Sequence, residues 1–175
     1  MKRALLRPVF LLLLLGWLAP AVAQNGSDWP RKPASSQIEV SGLLPWPTAT
    51  RTPAHRLALV RRWYWTKLTA EPANSQALDP REKRTAYGGV PQLAYLDYVS
   101  HTQGQDEERF RLLYQVDLRP TSRGLAYRLS NFEYSYFSVD AGTNAPLEEV
   151  LKRQPTGRPE LASFQQRLLS ALASW

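Results

Sequence analysis

Residues 108–119 carry the clearest pattern in the chain, because apolar and polar side chains alternate over most of this segment. The apolar positions are Phe110, Leu112, Tyr114, Val116 and Leu118. The positions between them include Arg109, Arg111, Gln115, Asp117 and Arg119. Successive side chains of a β-strand point to opposite faces of a sheet, so this period of two predicts a half-buried antiparallel strand. The other segments must therefore fit a sheet with one face on a core and one face open to solvent.

Extended segments on both sides of this strand predict the rest of the sheet. Residues 85–100 and 125–139 are rich in apolar and aromatic side chains, and the polar links between the three segments have hairpin length. A shorter strand is expected to begin at Gln37. Gly88 and Gly89 predict a β-bulge in the first long segment. The expected sheet is an antiparallel meander with one short strand that precedes it in the chain.

Two amphipathic helices are predicted, one before the meander and one after it. Thr52 and Pro53 suit a helix start, because a hydroxyl can cap free amides and proline at the first helical position loses no hydrogen bond. The apolar stripe of this helix is formed by Leu57, Val60, Tyr64 and Leu68. The second helix begins near Pro159. Its apolar stripe is formed by Leu161, Phe164, Leu168, Leu172 and Trp175. One or two helical turns are also predicted over Leu147–Arg153.

This order of elements predicts the α+β class, with an antiparallel sheet in β-α-β-β-β-α order and two helices packed on one of its faces. Residues 37–175 are expected to form this single domain, which is large enough to bury roughly two-thirds of its unfolded surface. Residues 24–36 mix Pro, Gly, Ser and Asn without periodicity, so they predict a flexible leader.

Residues 1–23 have the pattern of a secretory signal peptide. A cationic start, an apolar run over residues 9–18 and small residues at 21–23 follow one another in the expected order. The alternative is an uncleaved membrane anchor, but the apolar run falls short of the roughly 20 residues that a membrane span needs. The protein is therefore expected to be exported to the periplasm or the extracellular space, without an integral membrane span after cleavage.

Composition narrows the possible functions. Cleavage would remove three of the 22 basic residues and none of the 15 acidic ones, which lowers the net charge from +7 to +4 and argues against nucleic acid as a partner. The chain has no cysteine, so a stabilising core must replace disulfides in an oxidising compartment. Its two histidines, His55 and His101, are expected in solvated positions. The sequence therefore predicts no metal site, no cofactor and no catalytic set.

Several apolar and aromatic stretches resemble a family of exported bacterial proteins of unknown function that have a TATA-binding-protein-like (TBP-like) fold. The stretches are IEVSGLLP, RRWYWTKL, LLYQVDLRPTSRGLAYRLSNFEYSYF, PLEEVL and FQQRLLSALASW. They follow the signal peptide in a fixed order and cover most of the mature chain. The resemblance implies a fold but no activity, because the family offers no catalytic or binding residues to carry over.

The last strand of the meander changes its apolar phase at Asn131. Leu125, Tyr127 and Leu129 share one phase, and the next three apolar positions are Phe132, Tyr134 and Tyr136. Either a bulge near residues 130–131 turns all six side chains toward the core, or an unbroken strand places the last three on the open face. In the second arrangement the candidate ligand-binding residues are Arg109, Arg111, Arg128, Phe132, Tyr134 and Tyr136. Arginine beside aromatic rings suits sugars, carboxylates or planar rings, although aromatic residues also favour strands without any such role.

Three functions are compatible with these features. The leading hypothesis is a non-catalytic envelope protein whose open sheet face binds another envelope protein or a small ligand such as a saccharide. The alternative is a hydrolase of envelope polymers, in which Asp117 and Glu133 would share the acid and base roles. DNA binding by a saddle-shaped sheet is the third, and export together with the small positive charge argues against it.

Overall fold

An antiparallel sheet forms one layer of the protein, and helices form the other. The computed structural model describes residues 29–48, 52–69, 84–100, 107–137, 142–153 and 158–175. The predicted signal peptide therefore lies outside the described residues. Within these ranges the elements are β1 (Val40–Pro45), α1 (Pro53–Trp63), β2 (Leu93–Ser100), β3 (Glu108–Pro120), β4 (Gly124–Phe137), β5 (Gly142–Pro146), α2 (Leu147–Arg153) and α3 (Pro159–Ala173).

The strands lie in the order β1-β4-β3-β2, and β5 also pairs with β4. β1 pairs with residues 124–129 of β4, whereas β5 pairs with residues 133–137 on the same edge. The α+β class with an antiparallel sheet is thus confirmed, and so is the short helix α2. The sequence pattern did not predict β5, and the TBP-like arrangement stays a prediction.

One face of the sheet and the inner sides of the helices form the hydrophobic core. Phe110, Leu112, Tyr114, Val116 and Leu118 are all buried, as the alternation in β3 predicts. From the helices, the core includes Val60, Trp63, Leu161, Phe164 and Leu168. None of the helices in the described ranges is long and apolar enough to cross a membrane.

The first helix begins where the sequence predicts. The hydroxyl of Thr52 accepts a hydrogen bond from the backbone N–H of His55 at 3.3 Å, and Pro53 occupies the first helical position. A π-helical turn, Tyr64–Leu68, then continues α1. The wider turn keeps both of its end residues in the core, and the Tyr64 hydroxyl donates to the Leu93 carbonyl at 2.7 Å.

A bulge in β4 decides the open question about its aromatic residues. Asn131 has a φ of 53°, which lies in the left-handed region. Ser130 pairs with Gln115 and Glu133 pairs with Leu113, so β4 has one residue more than β3 between these pairs. The extra residue turns Phe132, Tyr134 and Tyr136 to the helix-covered face, together with Leu125, Tyr127 and Leu129. The alternative arrangement, an unbroken strand with three aromatic side chains on the open face, therefore does not form.

The pair Gly88-Gly89 forms a tight turn instead of the predicted β-bulge. Both glycines have a positive φ, 93° and 70°, and the chain reverses between Thr85 and Pro91, which form an isolated antiparallel bridge. A turn of this kind needs the left-handed region that glycine adopts without steric cost. β2 therefore starts only at Leu93.

Part of the predicted flexible leader packs on the domain. Trp29 is only 3% exposed, and its ring lies 5.7 Å from the ring of Phe132. Arg31 pairs with Ile38, and the N–H of Lys32 donates to the carbonyl of Gln37 at 2.9 Å, so residues 31–38 form a closed turn. Residues 24–28 of the predicted leader lie outside the described residues.

Candidate functional site

A concave pocket of about 800 Å³ opens on the helix-covered side of the sheet. It lies where β3 begins and β4 ends, and residues of β5, α2 and the start of α3 complete its wall. Its principal side chains are Glu108, Phe110, Tyr134, Tyr136, Arg158 and Glu160. We refer to it as the helix-side pocket.

Three aromatic rings form the floor of the helix-side pocket. Phe110 lies 5.1 Å from Tyr136 and 6.1 Å from Tyr134, and its ring plane is tilted by 37° and 35° against theirs. Strand pairing positions these rings, since Phe110 and Tyr136 are direct partners across β3 and β4. Phe110 and Tyr134 are buried, whereas Tyr136 is half-buried. The ring of Tyr136 is therefore the most accessible part of this floor.

A buried polar cluster fixes the wall beside Tyr134. Its hydroxyl donates to Oε1 of Glu160 at 3.0 Å and accepts from Nη1 of Arg158 at 2.9 Å. Glu160 is only 4% exposed, and Arg158 Nη1 also lies 3.4 Å from its carboxylate. Burial, followed by the nearby Glu160 carboxylate, raises the pKa of Tyr134. Tyr134 therefore keeps its proton and remains a hydrogen-bond donor at neutral pH.

The rim of the helix-side pocket carries further paired charges. The hydroxyl of Tyr136 donates to Glu108 Oε1 at 3.0 Å, and this hydrogen bond raises the pKa of Tyr136. On α2, Arg153 lies 3.8 Å from Glu149, one helical turn earlier. Carboxylate acceptors and guanidinium donors are therefore both present beside the aromatic floor.

The predicted arginines lie on the opposite face of the sheet, which we call the open face and which carries Tyr95, Arg111 and Arg128. Arg111 donates to both oxygens of Asp97 at 2.7 and 3.0 Å, and its guanidinium lies 4.3 Å from the centre of the Tyr95 ring. Arg128 donates to Asp117 at 2.6 and 3.1 Å. Each of these cations is thus neutralised by a carboxylate on a neighbouring strand.

The six predicted ligand-binding residues are therefore divided between two faces. Arg109, which pairs with Glu107 at 2.8 Å, lies with Arg111 and Arg128 on the open face. Phe132 is buried against Trp29, and Tyr134 and Tyr136 line the helix-side pocket. Sequence reasoning assigned Phe110 to the core and the Pro159 region to a helix start, but no periodic signal indicated that Arg158 and Glu160 would meet Tyr134.

The two carboxylates of the hydrolase hypothesis do not come together. Asp117 and Leu113 are four residues apart on β3, and Glu133 pairs with Leu113. At about 3.3 Å per residue, the two acidic residues are about 13 Å apart along the sheet. Paired glycosidase carboxylates lie about 5 to 9.5 Å apart. In addition, Asp117 is engaged by Arg128.

In the part of the chain that the structure describes, no three histidine, cysteine, aspartate or glutamate side chains are grouped so that they could hold a metal ion. Comparisons of the chain with protein-family models, with curated proteins and with solved structures found no match. The family resemblance therefore stays a prediction, and the geometry of the two faces carries the functional argument.

Proposed function

We propose that this protein is a non-catalytic binding domain of the bacterial cell envelope and that a small ligand occupies the helix-side pocket. The observation that carries the proposal is the combination of an aromatic floor and convergent polar groups in one cavity of about 800 Å³. Cavities of this size and composition are typical of small-molecule sites. The signal-peptide pattern of residues 1–23 supports the assignment to the envelope.

The helix-side pocket is favoured over the open face because two of its polar groups, Tyr134 and Glu160, are buried. Tyr134 and Glu160 are buried and are joined by a hydrogen bond between β4 and α3. On the open face, the side chains of Arg109 and Arg128 are about half exposed or more, and each is occupied by a neighbouring carboxylate. Exposed pairs of this kind contribute little and are readily screened by salt.

The lining of the pocket also favours binding over catalysis. Tyr134 and Tyr136 both have a raised pKa, so neither hydroxyl is a ready base at neutral pH. No histidine belongs to the described lining. Incubation with any ligand that binds should therefore leave it chemically unchanged, and a released product detected by mass spectrometry would contradict a non-catalytic role.

Two adjacent residues on opposite faces of β4 provide a direct test. Tyr136→Ala removes the accessible ring of the pocket floor, whereas Phe137→Ala removes a ring of the open face that is 43% exposed. The protein recovered from the envelope should gain thermal stability in a small-molecule extract of that envelope. We expect Tyr136→Ala to require at least ten times more extract for the same gain in thermal stability. Phe137→Ala should need no more extract than the unsubstituted protein. Equal effects, or a loss confined to Phe137→Ala, would exclude the helix-side pocket.

A second function, docking of another envelope protein on the open face, is supported by one observation. The guanidinium of Arg111 lies between the rings of Tyr95 and Phe137, at 4.3 and 5.9 Å from their centres. Phe137 and Val99 nearby are both exposed. A photoreactive phenylalanine analogue at position 137 should then crosslink one envelope protein in cells. The same analogue at position 43, which lies on the open face at the β1 end of the sheet, serves as the control.

A further inference from the structure

The charges around the helix-side pocket nearly balance. Its lining contains the carboxylates of Glu108, Glu149 and Glu160 and the guanidinium groups of Arg153 and Arg158. Glu149 pairs with Arg153, Glu160 pairs with Arg158, and Glu108 accepts a hydrogen bond from the Tyr136 hydroxyl. A strongly anionic ligand would meet three carboxylates, and a strongly cationic ligand would meet two guanidinium groups. The lining therefore favours a ligand without net charge.

The same lining offers hydrogen bonds in both directions. Carboxylate oxygens of Glu108 and Glu149 accept hydrogen bonds, whereas the N–H groups of Arg153 and Arg158 donate them. A hydroxyl is both a donor and an acceptor, so a ligand with many hydroxyl groups can satisfy both kinds of partner. A purely apolar ligand would instead displace water from these charged groups without offering them a hydrogen bond in exchange.

The aromatic floor adds a flat apolar surface next to these polar groups. Tyr136 is the half-buried ring of the floor, and Phe110 supports it from 5.1 Å. Aromatic side chains combine a large apolar surface with specific geometry, and they are common in pockets where a few polar groups fix the orientation of the ligand. A sugar ring presents an apolar face of C–H groups and an equatorial rim of hydroxyls, which matches this arrangement.

We infer that the ligand of the helix-side pocket is a neutral saccharide, whose ring stacks on Tyr136 and whose hydroxyls bind the carboxylates and guanidinium groups of the rim. This inference rests on the proposed function of the pocket and specifies its ligand class. Glu108 has a defined part in it, because it lines the pocket and its Oε1 accepts the hydrogen bond of the Tyr136 hydroxyl at 3.0 Å.

The test is calorimetric titration of the protein recovered from the envelope. The probes are a panel of neutral tri- and tetrasaccharides with glucose, galactose, mannose and N-acetylglucosamine units, together with inorganic phosphate, citrate and spermidine. At least one saccharide should bind, and its Kd should change less than twofold between 50 and 500 mM salt because neither partner contributes a net ion pair. Tyr136→Ala should weaken binding at least tenfold, and Phe137→Ala should not.

Further variants separate a binding role of the site from a folding role. Tyr136→Phe keeps the ring and should retain stacking, whereas Glu108→Gln keeps the shape but removes the charged acceptor and should weaken saccharide binding about tenfold. Circular dichroism establishes that each variant is folded. If Tyr136→Phe lost binding as completely as Tyr136→Ala, the stacking role would be excluded.

The outcomes distinguish the ligand class from the function. Binding of phosphate, citrate or spermidine that depends on Tyr136 would overturn the saccharide inference and leave the pocket as a binding site. Stabilisation by the envelope extract without binding of any saccharide in the panel would also overturn the saccharide inference and leave the pocket as a binding site. Failure of the extract and of every probe would overturn both the inference and the proposed function on which it rests.

Discussion

Tyr134 links two layers of the protein through a single hydroxyl. The oxygen accepts from Arg158 of the segment before α3, and its proton is donated to Glu160 in the first turn of that helix. A buried carboxylate without such partners would be strongly destabilising, because desolvation penalises its charge. The position of Glu160 near a helix N-terminus adds a smaller favourable interaction with the helix dipole. The position of Glu160 in the wall of the pocket therefore depends on its hydrogen bond with the Tyr134 hydroxyl.

Removal of this hydroxyl gives a prediction at the residue scale. Tyr134→Phe should lower the free energy of unfolding by about 2 kcal/mol, since a hydrogen bond to a buried charged acceptor is lost. Tyr136→Phe is the matched control, because its hydroxyl donates to Glu108 at the more accessible rim, and it should lower the free energy of unfolding less than Tyr134→Phe does. Urea unfolding of both variants measures the difference. Equal losses would mean that the Glu160 carboxylate is solvated.

The bulge in β4 is the element that limits what the sequence could predict. Alternation in β3 predicts correctly that Phe110, Leu112, Tyr114, Val116 and Leu118 are buried, because the extra residue of the bulge lies in β4 and β3 itself alternates without interruption. In β4 the phase shift at Asn131 left two arrangements, since an aromatic side chain is tolerated on either face of a sheet. β5 was missed for a related reason: its sequence, GTNAP, has no strand signal of its own. It pairs because β1 ends its contact with β4 at residue 129 and leaves the edge beyond the bulge available.

Substitutions at Asn131 test the bulge directly. Its φ of 53° suits asparagine or glycine, so Asn131→Gly should change stability by less than about 0.5 kcal/mol. Asn131→Val should cost about 2 kcal/mol, because a β-branched side chain clashes with the backbone in the left-handed region. Deletion of Asn131 removes the extra residue and should prevent folding, since Tyr134 and Tyr136 would turn to the open face. Urea unfolding that gave equal stability for the valine and glycine variants would argue against a left-handed conformation.

At the scale of the whole molecule, the order of the elements was predictable and their long-range contacts were not. The apolar stripe of α3 predicts the burial of Leu161, Phe164 and Leu168, but not that the end of the helix would meet β1. Trp175 donates its indole N–H to the carbonyl of Pro45 at 2.7 Å, and its ring lies 5.3 Å from Trp63 and 5.8 Å from Trp46. The helix-side pocket depends in the same way on segments that are distant in sequence. The spacing of apolar residues within one helix or strand does not indicate which distant segments that element will contact.

Buried tyrosines make the stability of the whole protein depend on pH in the alkaline range. Tyr114 is fully buried, its hydroxyl donates to the Leu68 carbonyl, and burial raises its pKa well above the ordinary value. Tyr134 also has a raised pKa. In the unfolded chain a tyrosine loses its proton near pH 10. Below that pH both states hold the proton, so these tyrosines contribute their full stability there.

Above about pH 10 only the unfolded state releases these protons, so the free energy of unfolding should fall by about 1.4 kcal/mol per pH unit for each such tyrosine. Urea unfolding at half-unit steps from pH 8 to 11 measures this slope. Tyr114→Phe should reduce this slope by the contribution of one tyrosine. The lost hydrogen bond also lowers the free energy of unfolding at every pH. Val116→Ala, at a fully buried neighbouring position of β3, also lowers stability but carries no titrating group, so it should keep the full slope. If Tyr114→Phe kept the full slope as well, Tyr114 would have to ionise as readily in the folded protein as in the unfolded chain, which its burial opposes.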